Sequence, residues 1–121
     1  MFEEEMKART KAFALRIIKL VEALPKTRTA DVIGRQLLRS ATSVGANYRS
    51  ACRGRSKADF ISKLGISLEE MDESVFWLEL LSDSGTITSS KLDDLFSEAN
   101  QLTAIFVASL RTAKANQNFK I

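Results

Sequence analysis

The chain has 121 residues, with 45% apolar and 27% charged side chains, five glycines, one proline, one cysteine and a net charge of +3. That balance excludes a disordered segment and a disulfide-stapled scaffold, and it points to one helix-rich folded domain spanning residues 1–121, of a size that often completes its burial by oligomerising. Histidine is absent, which removes the usual general base, the Ser-His-Asp triad and the Glu-x-x-His pairs of diiron bundles.

Four helices follow from the spacing of apolar residues. In the first, over about 3–24, Phe13, Ile17, Leu20 and Leu24 share one side with Phe2 and Met6 until Pro25 stops it. The second, over about 30–53, starts at Thr29 and Asp31, aligns Ala30, Ile33, Leu37, Ala41, Val44, Tyr48 and Ala51, and ends at Gly54 as its cap. Ser56 and Asp59 form a capping box for the third, over about 57–82, with a seam of Ile61, Leu64, Leu68, Met71, Val75 and Leu78. After the turn at 82–85, Ser90 and Asp93 open the fourth, over about 90–114, carried by Leu92, Leu95, Ala99, Leu102, Phe106, Leu110 and Ala113, with residues 116–121 expected to fray. Short connections return each helix beside its predecessor, so the expected fold class is all-α, an antiparallel up-down-up-down four-helix bundle.

Charge is distributed unevenly along this frame. Residues 25–57 hold eight Lys or Arg against Asp31 alone, a net of +7, whereas residues 58–98 hold ten acids against Lys63 and Lys91, a net of −8. Two such segments attract each other or a second copy of the chain before they attract anything else. At about 100° per residue, Arg28, Arg35, Arg39, Arg49 and Arg53 form one stripe opposite the apolar side of the second helix. Ala41, Gly45 and Ala51 lie on or beside that apolar side, where they admit a close neighbour, and Ser40, Ser43, Asn47 and Ser50 fill a polar flank. On the third helix, Ile66, Glu70, Glu73, Trp77 and Leu80 make a mixed stripe away from the seam. Apolar surface left there costs about 25 cal/mol per Å², so Ile66, Trp77 and Leu80 are the expected oligomer interface. Leu15 and Ile18 likewise fall off the main face of the first helix.

Two readings of the arginines stay open. In one, Arg28, Arg35, Arg49 and Arg53 contact the phosphates of RNA or DNA without reading bases; in the other, the arginines are ion-paired within a structural or protein-interaction scaffold. Arg39, beside the small residues, is the one expected to form a structural pair with Glu70 or Glu73. No catalytic, cofactor or metal site is expected: Glu69, Glu70, Asp72 and Glu73 come from one helix without a facing carboxylate set, Cys52 reads as a small core-edge residue, and no Gly-rich phosphate loop or small-molecule site is apparent. The longest apolar runs, at 17–21 and 76–81, are far below the roughly 20 residues of a membrane span. A lone cysteine with no secretory leader points to the cytoplasm.

Three stretches, 9–25, 37–60 and 69–81, resemble the bacterial four-helix-bundle proteins encoded within intervening sequences of 23S ribosomal RNA. The likeness is most specific at Arg39, Ser40, Ala41, Thr42, Ser43, Val44 and Asn47; at Gly45 and near Arg49 many relatives carry Pro and an acidic residue instead. The resemblance implies a cyclic homo-oligomer, a homopentameric ring, and a similarity to the basic accessory proteins of diversity-generating retroelements, which bind nucleic acid. Most members have no established activity.

Overall fold

The computed structural model describes residues 2–118 as four α-helices, α1 (Phe2–Glu22), α2 (Arg28–Cys52), α3 (Lys57–Asp83) and α4 (Asp93–Asn118), with one 3₁₀ turn at Ser89–Lys91. No strand occurs among the described residues, and no helix there is long and apolar enough to cross a membrane.

Local chemistry sets the ends. A proline disfavours helical geometry in the residue before it, so Pro25 stops α1 at Glu22, two residues short of the expected Leu24. The second helix begins earlier than Thr29: Thr27 is the extended N-cap, its hydroxyl oxygen accepting the Ala30 N–H at 3.2 Å, and Asp31 sits in the first turn where a negative charge is favourable. Its C-cap is Arg53 rather than Gly54. Gly54 follows without left-handed geometry; what it supplies is room, since a Cβ there would lie 3.0 Å from the Ala51 carbonyl oxygen and from the Asp59 carboxylate.

Ser56 caps α3 by accepting the Asp59 N–H at 3.1 Å, while the Asp59 carboxylate accepts the Arg55 N–H at 3.4 Å. The helix closes at Gly85, which takes a φ of +77° and donates its N–H to Ser82, and Ile87 reaches back to the Leu81 carbonyl. The expected Ser90 capping box does not form. Thr88 precedes the 3₁₀ turn without a side-chain cap bond, and α4 starts at Asp93. It then runs past residue 114 to Asn118, through good helix formers such as Lys114 and Ala115. The expected fraying is therefore absent at 116–118, and residues 119–121 lie outside the described residues.

One apolar cluster draws on all four helices, with Phe13 and Ile17 from α1, Leu37 and Val44 from α2, Met71 and Leu78 from α3, and Leu102 and Phe106 from α4. The Tyr48 and Phe106 rings meet across it, centroids 5.9 Å apart. Phe2, expected on the core side, is exposed.

The most extensive helix pairing is α2 with α3; α1 packs on α2 and α4 on α3, whereas α1 and α4 touch only briefly. Small side chains explain the first. Ser40, Ala41, Ser67 and Ser74 are all fully buried; the Ser40 and Ser74 hydroxyl oxygens lie 2.8 Å apart, and Ser67 donates to the Val44 carbonyl at 3.0 Å. Ser40 thus belongs to the core instead of the polar flank. The buried line of α3 runs through Leu64, Ser67, Met71, Ser74, Leu78 and Leu81, with Ile61, Leu68 and Val75 only partly buried. Relative to the expected seam the helix is turned by about 60° at 100° per residue, because serines with satisfied hydroxyls are as acceptable to a close neighbour as the larger apolar residues beside them.

Candidate nucleic-acid interface

The turn of α3 decides what becomes of its outer stripe. It brings Glu70 and Trp77 toward the core edge and sends Phe76 outward. Trp77 and Leu80 pack partly buried against the core, Ile66 is 38% exposed, and Phe76 is 50% exposed. Of the expected interface residues, Ile66 stays exposed while Trp77 and Leu80 turn partly toward the core, and the outward aromatic is Phe76, its ring edge-on to Trp77 at 5.2 Å.

The five arginines are all exposed, as residues opposite an apolar face must be, but they do not act as one stripe. Arg39 and Arg49 sit about 80° apart around α2 at 100° per residue, so Arg39 faces α3 and Arg49 faces α1. Arg39 donates to the Glu70 carboxylate at 3.1 Å and to Glu73, and Glu73 also accepts the Trp77 indole N–H at 3.2 Å. The fork geometry of the guanidinium allows one side chain to hold both acids. The hydrogen bond from Arg39 holds the Glu73 carboxyl below its usual range, and the bond to Glu73 raises Arg39.

This ion pair has a pH signature. A carboxyl whose folded pKa lies below its unfolded value stabilises the fold above the unfolded value, roughly 4.3 for Glu, and ceases to do so as pH falls through the folded one. The Arg39 side chain is 50% exposed, while Glu70 and Glu73 are 15% and 34% exposed, so solvent screening holds the expected loss for Arg39→Ala to about 1 kcal/mol at neutral pH. Thermal melts should show that difference from wild type shrinking below about pH 4. A difference that does not change with pH would remove the ionic contribution.

Arg35 pairs with Asp31 of its own helix at 3.1 Å, both exposed, a contact of only a few tenths of a kcal/mol. Arg28, Arg49 and Arg53 have no carboxylate within ion-pair distance among the described residues. Arg49 instead lines shallow cavities between α1 and α2 with Lys7 and Lys11. Reading α2 by itself misses those lysines; their i, i+4 spacing on α1 was the available signal. A second link has no signal in either helix alone: Arg9 donates to Glu98 through Nε at 3.1 Å and Nη2 at 2.7 Å, and to Gln101 at 3.0 Å, tying α1 to α4 where the two helices otherwise barely meet. The bond to Glu98 raises Arg9.

Cys52 is partly buried, and desolvation raises its thiol, which keeps it protonated at neutral pH and a poor nucleophile. Among the described residues no group of three or more side chains is arranged to hold a metal ion, and Glu70 and Glu73 are engaged by Arg39.

The same helical frame occurs in a crystal structure from Bacteroides thetaiotaomicron VPI-5482, of a protein with unknown function from the S23 ribosomal protein family. It is 34% identical to this chain, with a TM-score of 0.85 over 92% of this chain and 99% of that one. Comparison with curated proteins gives no match. The model of the 23S rRNA-intervening sequence proteins matches residues 3–108, from the start of α1 into the second half of α4, and the chain belongs to that family.

Proposed function

We propose that this is a non-catalytic, cytoplasmic accessory protein whose four helices alternate in direction, which self-associates into a ring, and which holds RNA or DNA by the phosphate backbone. The observation that carries this reading is the state of the α2 arginines: Arg28, Arg49 and Arg53 are exposed and have no carboxylate partner among the described residues. Uncommitted guanidinium groups on a rigid helix suit sequence-independent phosphate contact, and Arg35, held only by a surface pair, can join them.

Alternation of direction is supported by the short connections and by the contacts themselves. Ser40 meets Ser74 and Val44 meets Ser67, so rising numbers on α2 face falling numbers on α3. Self-association is supported by Leu15, Ile18, Ile66 and Phe76, exposed apolar side chains on α1 and α3 that a second copy would cover. Five subunits is what the family resemblance implies.

One experiment tests the reading. Titration of single-stranded RNA and duplex DNA at two salt concentrations should give affinities that fall with a log–log slope of about −0.9 per contacted phosphate for the duplex and about −0.7 for the single strand, with little dependence on sequence. Light scattering on the same samples should report an oligomer that Phe76→Glu weakens. A monomer at high concentration would overturn the ring, and the absence of salt-sensitive binding would overturn the nucleic-acid role. The second reading, a scaffold, draws on Arg39 and Arg35 already holding carboxylates of the same chain; it expects no nucleic-acid binding and an assembly weakened by Arg→Gln changes on α2.

A further inference from the structure

Arg49 stands on the flank of α2 that meets Lys7 and Lys11 of α1. At this level the two helices approach closely: a Cβ on Gly45 would meet the Thr10 hydroxyl oxygen at 3.3 Å. The surface there is a pair of adjoining shallow cavities of about 290 and 220 Å³, and Lys7, Lys11 and Arg49 line both. The smaller one is also lined by Ala14, Gly45 and Ala46, small residues that leave room beside the three charges.

We propose that this cleft between α1 and α2 is the seat of phosphodiester binding, with Lys7, Lys11 and Arg49 as the phosphate-contacting residues of each subunit. The inference rests on the nucleic-acid reading above and relocates its centre from one helix to a two-helix cleft. Compact ammonium groups on α1 and a guanidinium on α2 bring three cations to one depression, which concentrates positive potential more than single arginines spread along a helix do.

The hydroxyl groups of the cleft favour a ligand recognised by charge alone. Thr10 donates to the Met6 carbonyl at 2.8 Å and Thr42 to the Leu38 carbonyl at 2.7 Å. Neither has a hydroxyl hydrogen left to donate, which leaves the three cations as the side-chain donors of the cleft and makes the contact salt-sensitive. One acid opposes it. Glu4 lines the larger cavity and lies 3.4 Å from the Lys7 ammonium, so its carboxylate competes with phosphate for that lysine.

The test uses the full chain, with single-stranded RNA, duplex DNA and polyglutamate as probes, each at two salt concentrations. Lys7→Gln, Lys11→Gln and Arg49→Gln together should flatten the duplex salt slope by about 2 to 3 while the melting temperature is kept. Glu4→Gln should do the opposite and tighten binding several-fold. A rescue variant, Lys7→Arg with Lys11→Arg, should keep the wild-type slope, because charge rather than side-chain shape is required. If the slope flattens instead in Arg28→Gln, Arg35→Gln, Arg53→Gln and stays steep in the cleft variant, the nucleic-acid reading survives and the cleft assignment falls. If polyglutamate binds as tightly as RNA or DNA, the ligand is an acidic protein segment and the phosphodiester assignment is overturned. Wild type that binds none of the probes overturns both the cleft and the reading beneath it. Should the triple variant lose its fold, Lys11→Gln and Arg49→Gln as single changes, each flattening the slope by about 0.9, carry the same decision.

Discussion

Phe106→Ala is expected to destabilise the protein by about 3 to 5 kcal/mol. Phe106 is fully buried on α4, and its ring stands against Tyr48 of α2, so one side chain joins the two helices across the core. Truncation removes apolar surface from the folded state and leaves a cavity ringed by residues from several helices, which must move together to close it. Val107, next along the chain, is 37% exposed; Val107→Ala should change stability by about 0.5 kcal/mol or less. Denaturant unfolding of both variants at one protein concentration measures the contrast. Equal losses at the two positions would mean that α4 does not present Phe106 to the core.

Ser74→Leu is expected to cost about 1 to 3 kcal/mol through overpacking, although it exchanges a hydroxyl for a larger apolar group in a buried position. Ser74 is fully buried, with its oxygen 2.8 Å from that of Ser40 and a hydrogen bond to the Glu70 carbonyl at 2.8 Å. Three extra carbons there push α3 away from α2, at the pairing where the helices lie in most extensive contact. Ser74→Ala separates the two contributions. It deletes the hydrogen bonds without adding volume, and Ser40 still has the Leu37 carbonyl as a partner, so its loss should be near 1 kcal/mol. A leucine variant that melts above the alanine variant would show that the seam has room to spare.

These two positions mark different depths of legibility. Phe106 is assignable to the core from spacing alone, because it belongs to a run with Leu95, Ala99, Leu102, Leu110 and Ala113 that repeats by three and four. Ser74 is not. A serine at helical spacing reads as a surface residue until the neighbouring helix is known to be close enough to bury it and to satisfy its hydroxyl. Spacing puts Ser40 on a polar flank for the same reason, and it runs the seam of α3 through Leu68 and Val75, whereas the buried line runs through Ser67 and Ser74. With that modest rotation Trp77, expected to face outward, turns to Glu73 and the core edge, and Phe76 is the aromatic left outside.

The candidate interface shows the same division. Spacing on one helix identifies five arginines on one side of α2, yet it has no access to the helix next to each of them. Arg39 meets Glu70 and Glu73 because it stands on the α3 edge, whereas Arg49, about 80° around the helix, stands beside Lys7 and Lys11 on the α1 edge. Of the four acids at 69–73, spacing singles out Glu70 and Glu73 on the outer stripe of α3 as partners for Arg39, and the structure joins them, but spacing assigns no neighbour to Arg49. Arg9 with Glu98 is the extreme case: two residues 89 positions apart, each ordinary in its own helix, joined because α1 and α4 come together there.

Spacing along the chain yields four helices, most of their ends to within two residues and the identity of most large core residues, because helical periodicity, a proline stop, a serine cap and a glycine turn are all properties of a few consecutive residues. How far α3 is rotated, which serines are buried, which aromatic faces outward and which arginine joins the α1 lysines in an open cationic cleft are settled only between helices. Those outcomes depend on the distance and rotation between helices, which small side chains set jointly from both sides of a contact and which the pattern along one helix does not contain.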